Sequence, residues 1–407
     1  MLAPPTHSTG VRFSGLVERI SGAGTDVWRT HYAALAARER GEDVIILSVG
    51  DPDLQTPAPI VARAIEQLRA GDTHYVPPAG RAHLRMAIAA QHARRSGQSV
   101  SAQNVICTAG AQNALCIAAM CLAGPGDEVL ALEPLYPTYP ATIEASGARL
   151  LCTPALRDCR PDLHALEQQL SARTRAIVWA TPNNPSGVIL SERELAVIRA
   201  LARQHDLWLI SDEVYAGLAP GGRVPSLAQE LPERVVTLGS LSKSHAMTGW
   251  RAGWLVGPTA LIEHAEHLAV CMLFGLPGFV QEAAVTALEI AAEAEARGRA
   301  YCAERQQRFA AGIAAIPQVR ALPPQAGMFM LLDVSATGLS GGEFMRALYA
   351  KQRVSLMDGA AFGQASAHCV RACFAVDDAT LAAACARLRT FCAEDLPGVL
   401  AAGQART

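Results

Sequence analysis

The chain has 407 residues, half of them hydrophobic at 50%, which predicts a sizeable core split between two domains, or one large and one small. A net charge of -2, with 35 Lys and Arg interspersed among 37 Asp and Glu, leaves no footprint for nucleic acid, an acidic membrane surface or a polyanionic partner. The 11 scattered cysteines contain no C-x-x-C pair, no long apolar run suggests a membrane span, and MLAPPTHSTGVRF lacks the apolar stretch of a signal peptide, so a reducing, cytoplasmic setting is expected.

Residues 1–13 are polar and read as irregular. Asp26 to Arg40 reads as a helix, and VIILSVG (44–50) as a strand leaving into the loop GDPDLQTP. Helices are predicted over Pro59–Ala70 and Arg81–Ser96, on either side of the Pro77-Pro78 break. From there strands and helices alternate. Strands are predicted at 104–110, 129–133, 148–154, 176–182, 207–213, 235–243 and 250–257; helices are predicted at 111–123, Ala141–Ser146, Leu163–Leu170 and Glu192–His205. Runs such as IVWA and LWLI are continuously apolar, as strands of a parallel sheet covered on both faces must be.

After about residue 280 the texture changes to α+β. Gln281 to Ile316 predicts one long helix bent near Gly298. Strand-like runs at 327–334, 353–357 and 368–375 follow, with a helix near Gly342–Lys351 and a last one from Asp378 to about Glu394. The fold class is therefore α/β. A large domain with a mainly parallel sheet between helices is expected over 50–290, and a smaller α+β domain from both chain ends, 1–49 and 291–407.

One segment carries most of the chemistry. In SLSKSHAMTGWR, Lys243 follows an apolar strand, Ser240 stands three residues before it, and Arg251 opens another apolar strand eight residues after it. A loop lysine alone reads as a solvated charge. A lysine between buried strands, with a hydroxyl and an arginine close by, reads as an amine nucleophile beside an anion site. Burial near a second cation lowers the amine's pKa, and a guanidinium supplies a fork for phosphate. The S-x-S-K…G-W-R pattern resembles the pyridoxal 5'-phosphate transferases of the aspartate aminotransferase superfamily, fold type I. The resemblance implies that Lys243 carries the cofactor as a Schiff base and moves the proton, with Ser240 and Arg251 on the cofactor phosphate.

Further segments fit the same resemblance in order. In LISDEVY, Asp212 and Glu213 end an apolar strand, where α/β folds place ligands, though a turn or helix cap is the plain reading. The family match gives Asp212 to the pyridine nitrogen, where a carboxylate keeps the ring an electron sink. It gives Tyr215 to the phenolate oxygen, and Glu213 is expected to be structural. ATPNNPSG is a Pro/Asn turn by itself; by resemblance Asn184 donates to the same oxygen and sits at the substrate. TAGAQNA is a strand-to-helix turn whose free N–H groups suit phosphate, which implies Gly110, Ala111 and Gln112. Tyr136 matches the aromatic that stacks on the pyridine ring. Tyr75, in THYVPPAGRAHLR, matches a tyrosine that reaches the phosphate of the neighbouring subunit, which implies a homodimer. Arg371, in CVRACFA, matches the arginine that grips the substrate α-carboxylate, with Gly50 beside it.

The resemblance spans about residues 15–395 and implies an aminotransferase working on an amino acid and a 2-oxo acid by a ping-pong mechanism. Another reaction of the same cofactor, such as β-elimination, and a non-catalytic regulator are the alternatives. A regulator would need a DNA-binding module, and fewer than 50 residues precede the first motif. SLSKSHAMTGWR, GDPD, the AGAQ loop and GMFMLLDVSATGLS look like the arginine–pyruvate transaminases, which implies L-arginine as donor and pyruvate as acceptor. Aspartate, aromatic and neutral donors remain alternatives. Some aspartate-type relatives carry a lysine in the phosphate loop where this chain has Gln112. Asp51 is a candidate partner for a guanidinium, or a turn cap. His264 and His267 show H-x-x-H spacing with no third ligand, so no metal is expected. His245, Trp28, Met328 and Phe329 read equally as pocket or core.

Overall fold

A computed structural model describes residues 13–21 and 26–404. Nearly all of the expected irregular start, over residues 1–13, lies outside them. The strands in chain order are β1 (Ile45–Ile46), β2 (Val105–Ala109), β3 (Glu128–Leu132), β4 (Arg149–Thr153), β5 (Thr174–Ala180), β6 (Trp208–Asp212), β7 (Val235–Ser240), β8 (Ala252–Val256), β9 (Arg320–Leu322), β10 (Phe329–Asp333), β11 (Val354–Ser355), β12 (Met357–Asp358) and β13 (Cys369–Cys373).

Seven of them form one sheet in the order β2-β8-β7-β6-β5-β3-β4. The pairs from β4 through β7 are parallel, and β8 runs antiparallel between β7 and β2. Every residue of β3, β7 and β8 is buried, because helices cover both faces. One face packs on the apolar helix Ala111–Leu122 and on Thr259–Met272, and the other receives Glu192–His205 through Leu195, Ile198 and Leu201. The carboxyl ends of β5, β6 and β7 open at one edge of the sheet, beside the start of the helix after β2. Parallel α/β sheets place ligands at such an edge.

A second, antiparallel sheet has the order β12-β13-β10-β9, and the short pair β1-β11 joins the two ends of the chain. The backbone beyond β1 continues the link: Leu47 N–H donates to Ser355 O, and Cys373 N–H donates to Leu47 O. This holds the loop that begins at Ser48 against β13, which carries Arg371.

Three expectations are corrected. The stretch from Gln281 to Ile316 is two helices, Gly278–Glu289 and Ala291–Ala314, and the break falls at Ile290 rather than Gly298. Gly298 lies inside the second helix, where a Cβ would stand 3.0 Å from Leu218; its smallness allows close packing, not a bend. RVSLM divides between β11 and β12, which belong to different sheets. The last helix continues past Glu394 through a wide turn, Phe391–Asp395, into Leu396–Gln404.

Candidate active site

At the edge of the sheet lies a cavity of ≈ 190 Å³. Its wall includes Gly50, Ala111, Gln112, Tyr136, Asn184, Asp212, Tyr215, Ser240, Lys243, Arg251 and Arg371. Gly110 backs the wall without lining it, and Tyr75 lies elsewhere.

One end of the cavity is built to receive an anion. Gly110, with φ +79°, precedes the helix Ala111–Leu122, whose first N–H groups have no partner within the helix. Arg251 stands opposite, its Nη1 donating to Thr248 O at 2.8 Å and its Nη2 to Ala109 O at 3.2 Å. A Cβ on Gly110 would displace the end of the Arg251 side chain, and the φ of +79° is one that L side chains rarely adopt, so the backbone favours glycine here. Ser240 Oγ accepts from Ser242 N–H at 3.0 Å and is buried at the end of β7. The Gln112 side chain is held by Thr138 and Thr142, so its backbone, not its amide, faces the anion end.

Lys243 follows β7, and its Nζ donates to Gly50 O at 2.6 Å. Burial pulls its pKa down to about 8, Cys373 and Asp51 pull the other way, and Arg371 and Arg251 add to the lowering. The chain has two lysines, Lys243 and Lys351. Lys351 is exposed near the end of the helix Gly341–Gln352, far from this chemistry in character. Two lysines against 33 arginines is itself a sequence signal for a lysine that arginine cannot replace.

The middle of the cavity is a buried polar cluster. Tyr139 Oη donates to Asp212 Oδ2 at 2.7 Å, and Val214 N–H donates to Asp212 Oδ1 at 3.2 Å. Burial raises the Asp212 pKa, while the Tyr139 bond, the Val214 N–H and the Lys243 charge oppose the rise. Tyr139 was not singled out by sequence. The signal was there in LYPTY, where tyrosines at positions 136 and 139 fall on one face of a helical turn; their rings stand 6.2 Å apart, edge to face. Asn184 Nδ2 lies 3.4 Å from Tyr215 Oη, and burial pushes the Tyr215 phenol well above its ordinary value, so it stays neutral.

Arg371 closes the other end. It is 1% exposed, donates from Nη1 to Asn184 Oδ1 at 2.9 Å and from Nη2 to Ser48 O at 2.6 Å. Its guanidinium carbon lies 4.1 Å from the centre of the Phe329 ring, and Nε has no partner among the described residues. A buried guanidinium with an open donor and no carboxylate beside it is prepared for an anionic ligand. Gly50 passes so close to Phe329 that a Cβ would enter the ring, which brings the Gly50 backbone up to the cavity.

Trp28 and Phe329 line the cavity, as do Val49, Leu115, Val214 and Thr248, which sequence did not single out; Met328 is core. His245 points away from it, bonded to Ser244 Oγ and Ala287 O, and burial lowers its pKa to about 4. Glu213 accepts from Ser211 Oγ at 3.0 Å beneath the sheet edge, and burial raises its pKa to about 7. Asp51 is exposed and accepts from Thr248 Oγ1 at 2.6 Å, and Tyr75 is 88% exposed with its ring 4.6 Å from that of Phe274.

The donor set fits pyridoxal 5'-phosphate. An amine of lowered pKa, a buried carboxylate in line with a ring nitrogen's needs, and a cradle of helix N–H groups, serine and arginine are together in one cavity.

The family described as aminotransferase class I and II matches residues 42–388. The chain is 44% identical to the arginine–pyruvate transaminase AruH of Pseudomonas aeruginosa, over 95% of this chain and 100% of that one. It is 32% identical to the probable aspartate/prephenate aminotransferase of Thermus aquaticus, over 74% of this chain and 80% of that one. Its fold matches the structure of the aspartate aminotransferase of Thermus thermophilus with maleate at a TM-score of 0.88, with 29% identity, covering 93% of this chain and 99% of the other.

Proposed function

The chain belongs to the class I and II aminotransferases, which use pyridoxal 5'-phosphate to move an amino group between an amino acid and a 2-oxo acid, and on that premise we propose that its amino donor is L-arginine and its acceptor pyruvate. The observation that carries the donor is the 44% likeness, end to end, to a transaminase of that name. The cavity agrees with it. Its cations on this chain are Lys243, Arg251 and Arg371, and each has a use at the cofactor or the α-carboxylate. Among the described residues lining the cavity none remains for the second carboxylate of aspartate, and Gln112 occupies the phosphate-loop position with its side chain tied to threonines.

In this reading Arg251, Ser240 and the N–H groups of Ala111 and Gln112 hold the phosphate, with Gly110 leaving them room. Lys243 holds the cofactor covalently. Asp212, oriented by Tyr139 and Val214, would keep the pyridine nitrogen protonated, and Tyr136 would pack on the cofactor. Once bound, the cofactor supplies the electron sink that makes the substrate's Cα proton acidic. Nζ of Lys243, its pKa lowered to about 8, would serve as a base able to hold that proton near neutral pH. Asn184 and Tyr215 steady the phenolate oxygen. Arg371 and the Gly50 backbone would orient the α-carboxylate in the cavity that also holds Lys243.

The assembly proposed is a homodimer in which Tyr75 reaches the neighbouring site. It is supported by the exposure of Tyr75 beside Met272, Leu273 and Phe274, each 42% exposed, an apolar surface that a second copy would cover. Two domains, 50–290 and 1–49 with 291–407, are proposed on the separate sheets and on the β1-β11 pairing of the chain ends. A cytoplasmic location is proposed with them; no helix among the described residues is long and apolar enough to cross a membrane.

The test is a comparison of half-reactions with L-arginine, L-aspartate, an aromatic and a neutral amino acid. L-arginine is expected to bleach the cofactor's yellow band fastest. Faster bleaching by L-aspartate would discard the donor and keep the enzyme class. Asp51→Ala should raise KM for arginine and spare a neutral donor, and equal effects would remove Asp51 from recognition.

A further inference from the structure

We propose that His31 is a positioning residue for the substrate carboxylate: through the Ser48 hydroxyl it fixes the Ser48 carbonyl that holds Arg371. The inference rests on the reading of Arg371 as the carboxylate's partner. Half of the support for the buried guanidinium comes from Ser48 O, 2.6 Å from Nη2. That carbonyl is itself placed by its own side chain, which is 0% exposed and lies 2.9 Å from His31 Nδ1 and 2.9 Å from Ser355 Oγ. Three segments meet there: the helix Arg29–Glu39, the loop after β1, and β11.

The protons on this relay have one consistent arrangement. Ser355 Oγ donates to Ser48 Oγ. Ser48 has a single proton of its own, and His31 Nδ1 is the acceptor in reach. The imidazole is then neutral, with its proton on Nε2. A protonated ring would make Nδ1 a donor and strand the Ser48 proton in the interior, which costs the desolvation of an unmet donor. Burial, Arg371 and Arg38 all hold the His31 pKa below its ordinary value, which supports the neutral form.

The same ring reaches the cavity wall. Trp28 lines the cavity and meets His31 edge to face at 5.8 Å. One side chain thus braces both the arginine that takes the carboxylate and an aromatic beside the substrate. A neutral acceptor at the Nδ1 position is the chemical requirement, which asparagine meets in part and leucine does not.

The experiment uses holoenzyme and two substrates: the best amino acid donor, and the primary amine with the same side chain and no carboxylate. Half-reaction rate constants give a discrimination ratio between them. His31→Leu is expected to lower the ratio about tenfold, through KM for the amino acid, because one charge-assisted contact is loosened. The amine's constant should stay within about twofold, since only the carboxylate uses Arg371. His31→Asn should retain most of the wild-type ratio. If His31→Leu does not fold, Ser48→Ala carries the comparison, since it removes the hydroxyl and keeps the carbonyl. Should Arg371→Leu leave the ratio unchanged, the reading of Arg371 fails and this inference with it. Should Arg371→Leu collapse the ratio while His31→Leu or Ser48→Ala leaves it at the wild-type value, or slows both substrates alike, the role of His31 alone is overturned.

Discussion

Arg371 and Asn184 are joined side chain to side chain, Nη1 donating to Oδ1 at 2.9 Å, while the amide nitrogen of the same asparagine stands 3.4 Å from Tyr215 Oη. One buried amide therefore spans the arginine proposed for the substrate carboxylate and the tyrosine proposed for the cofactor oxygen. Its two ends have opposite hydrogen-bonding character, so neither end can be served by turning the group around. Asn184→Ala should cost both partners at once. A hydrogen bond to a charged group is worth about 1.5–3 kcal/mol, so kcat/KM for the amino donor should fall roughly 10- to 100-fold. The absorbance of the resting enzyme should shift with pH as well. A change in KM alone, with the spectrum untouched, would confine Asn184 to the substrate side.

Lys243 gives a pH signature. Its amine titrates near pH 8 rather than 10.5, chiefly because it is buried. Since the neutral amine attacks the cofactor's aldehyde, the rate at which apoenzyme takes up cofactor should rise with pH and level off above about 8. The same shift is a stability term in the apoenzyme. A lysine whose folded pKa is lowered destabilises the fold by a constant amount below about pH 8, and the cost fades as pH rises towards 10.5. Apo Lys243→Met should therefore melt higher than apo wild type at pH 7, with the gap narrowing at pH 10. An uptake rate still climbing steeply above pH 9.5 would contradict the lowered value.

Gly110 tests the phosphate cradle. An alanine there meets the Arg251 guanidinium and is held at φ +79°. Strain of this kind costs on the order of 1–3 kcal/mol, so Gly110→Ala should raise the cofactor's Kd by at least about fivefold. Equilibrium dialysis against cofactor reads this directly. Unchanged affinity in a folded variant would move the phosphate away from this turn.

Tyr75 tests the dimer. Alone, Tyr75→Ala should weaken cofactor binding, and Lys243→Ala should be inactive. Mixed and allowed to exchange subunits, the two should form hybrids with one complete site, in which an intact Lys243 meets the partner's intact tyrosine. Activity regained on mixing is the expected result, and mixtures no more active than Tyr75→Ala would place Tyr75 outside the neighbouring site.

Much of the site was legible because its residues sit where strands end. Asp212, Ser240 and Lys243 each follow a continuous apolar run, and such runs mark buried parallel strands. The parallel sheet followed from the same signal. Tyr139 is not announced by a strand end, because it reaches the cavity from a helical turn, and Trp28 reads equally as pocket or core because a distant segment brings it to the cavity only through tertiary packing. The relay of His31, Ser48 and Ser355 escaped for a related reason, since Ser48 and Ser355 lie 307 residues apart, His31 comes earlier still, and all three are ordinary residues locally. The helix break at Ile290 was misplaced because glycine suggests a bend in isolation, while here close packing on Leu218 uses Gly298 for its size.

The central claim is that Lys243 carries the cofactor, and the chain's two lysines make it sharply testable. Holoenzyme is reduced with borohydride, digested, and the phosphopyridoxyl label located by mass spectrometry. The account predicts the label on the peptide containing Lys243, at close to one per chain, and its loss in Lys243→Ala. A label on Lys351 or the N-terminal amine, or undiminished labelling of Lys243→Ala, would contradict it.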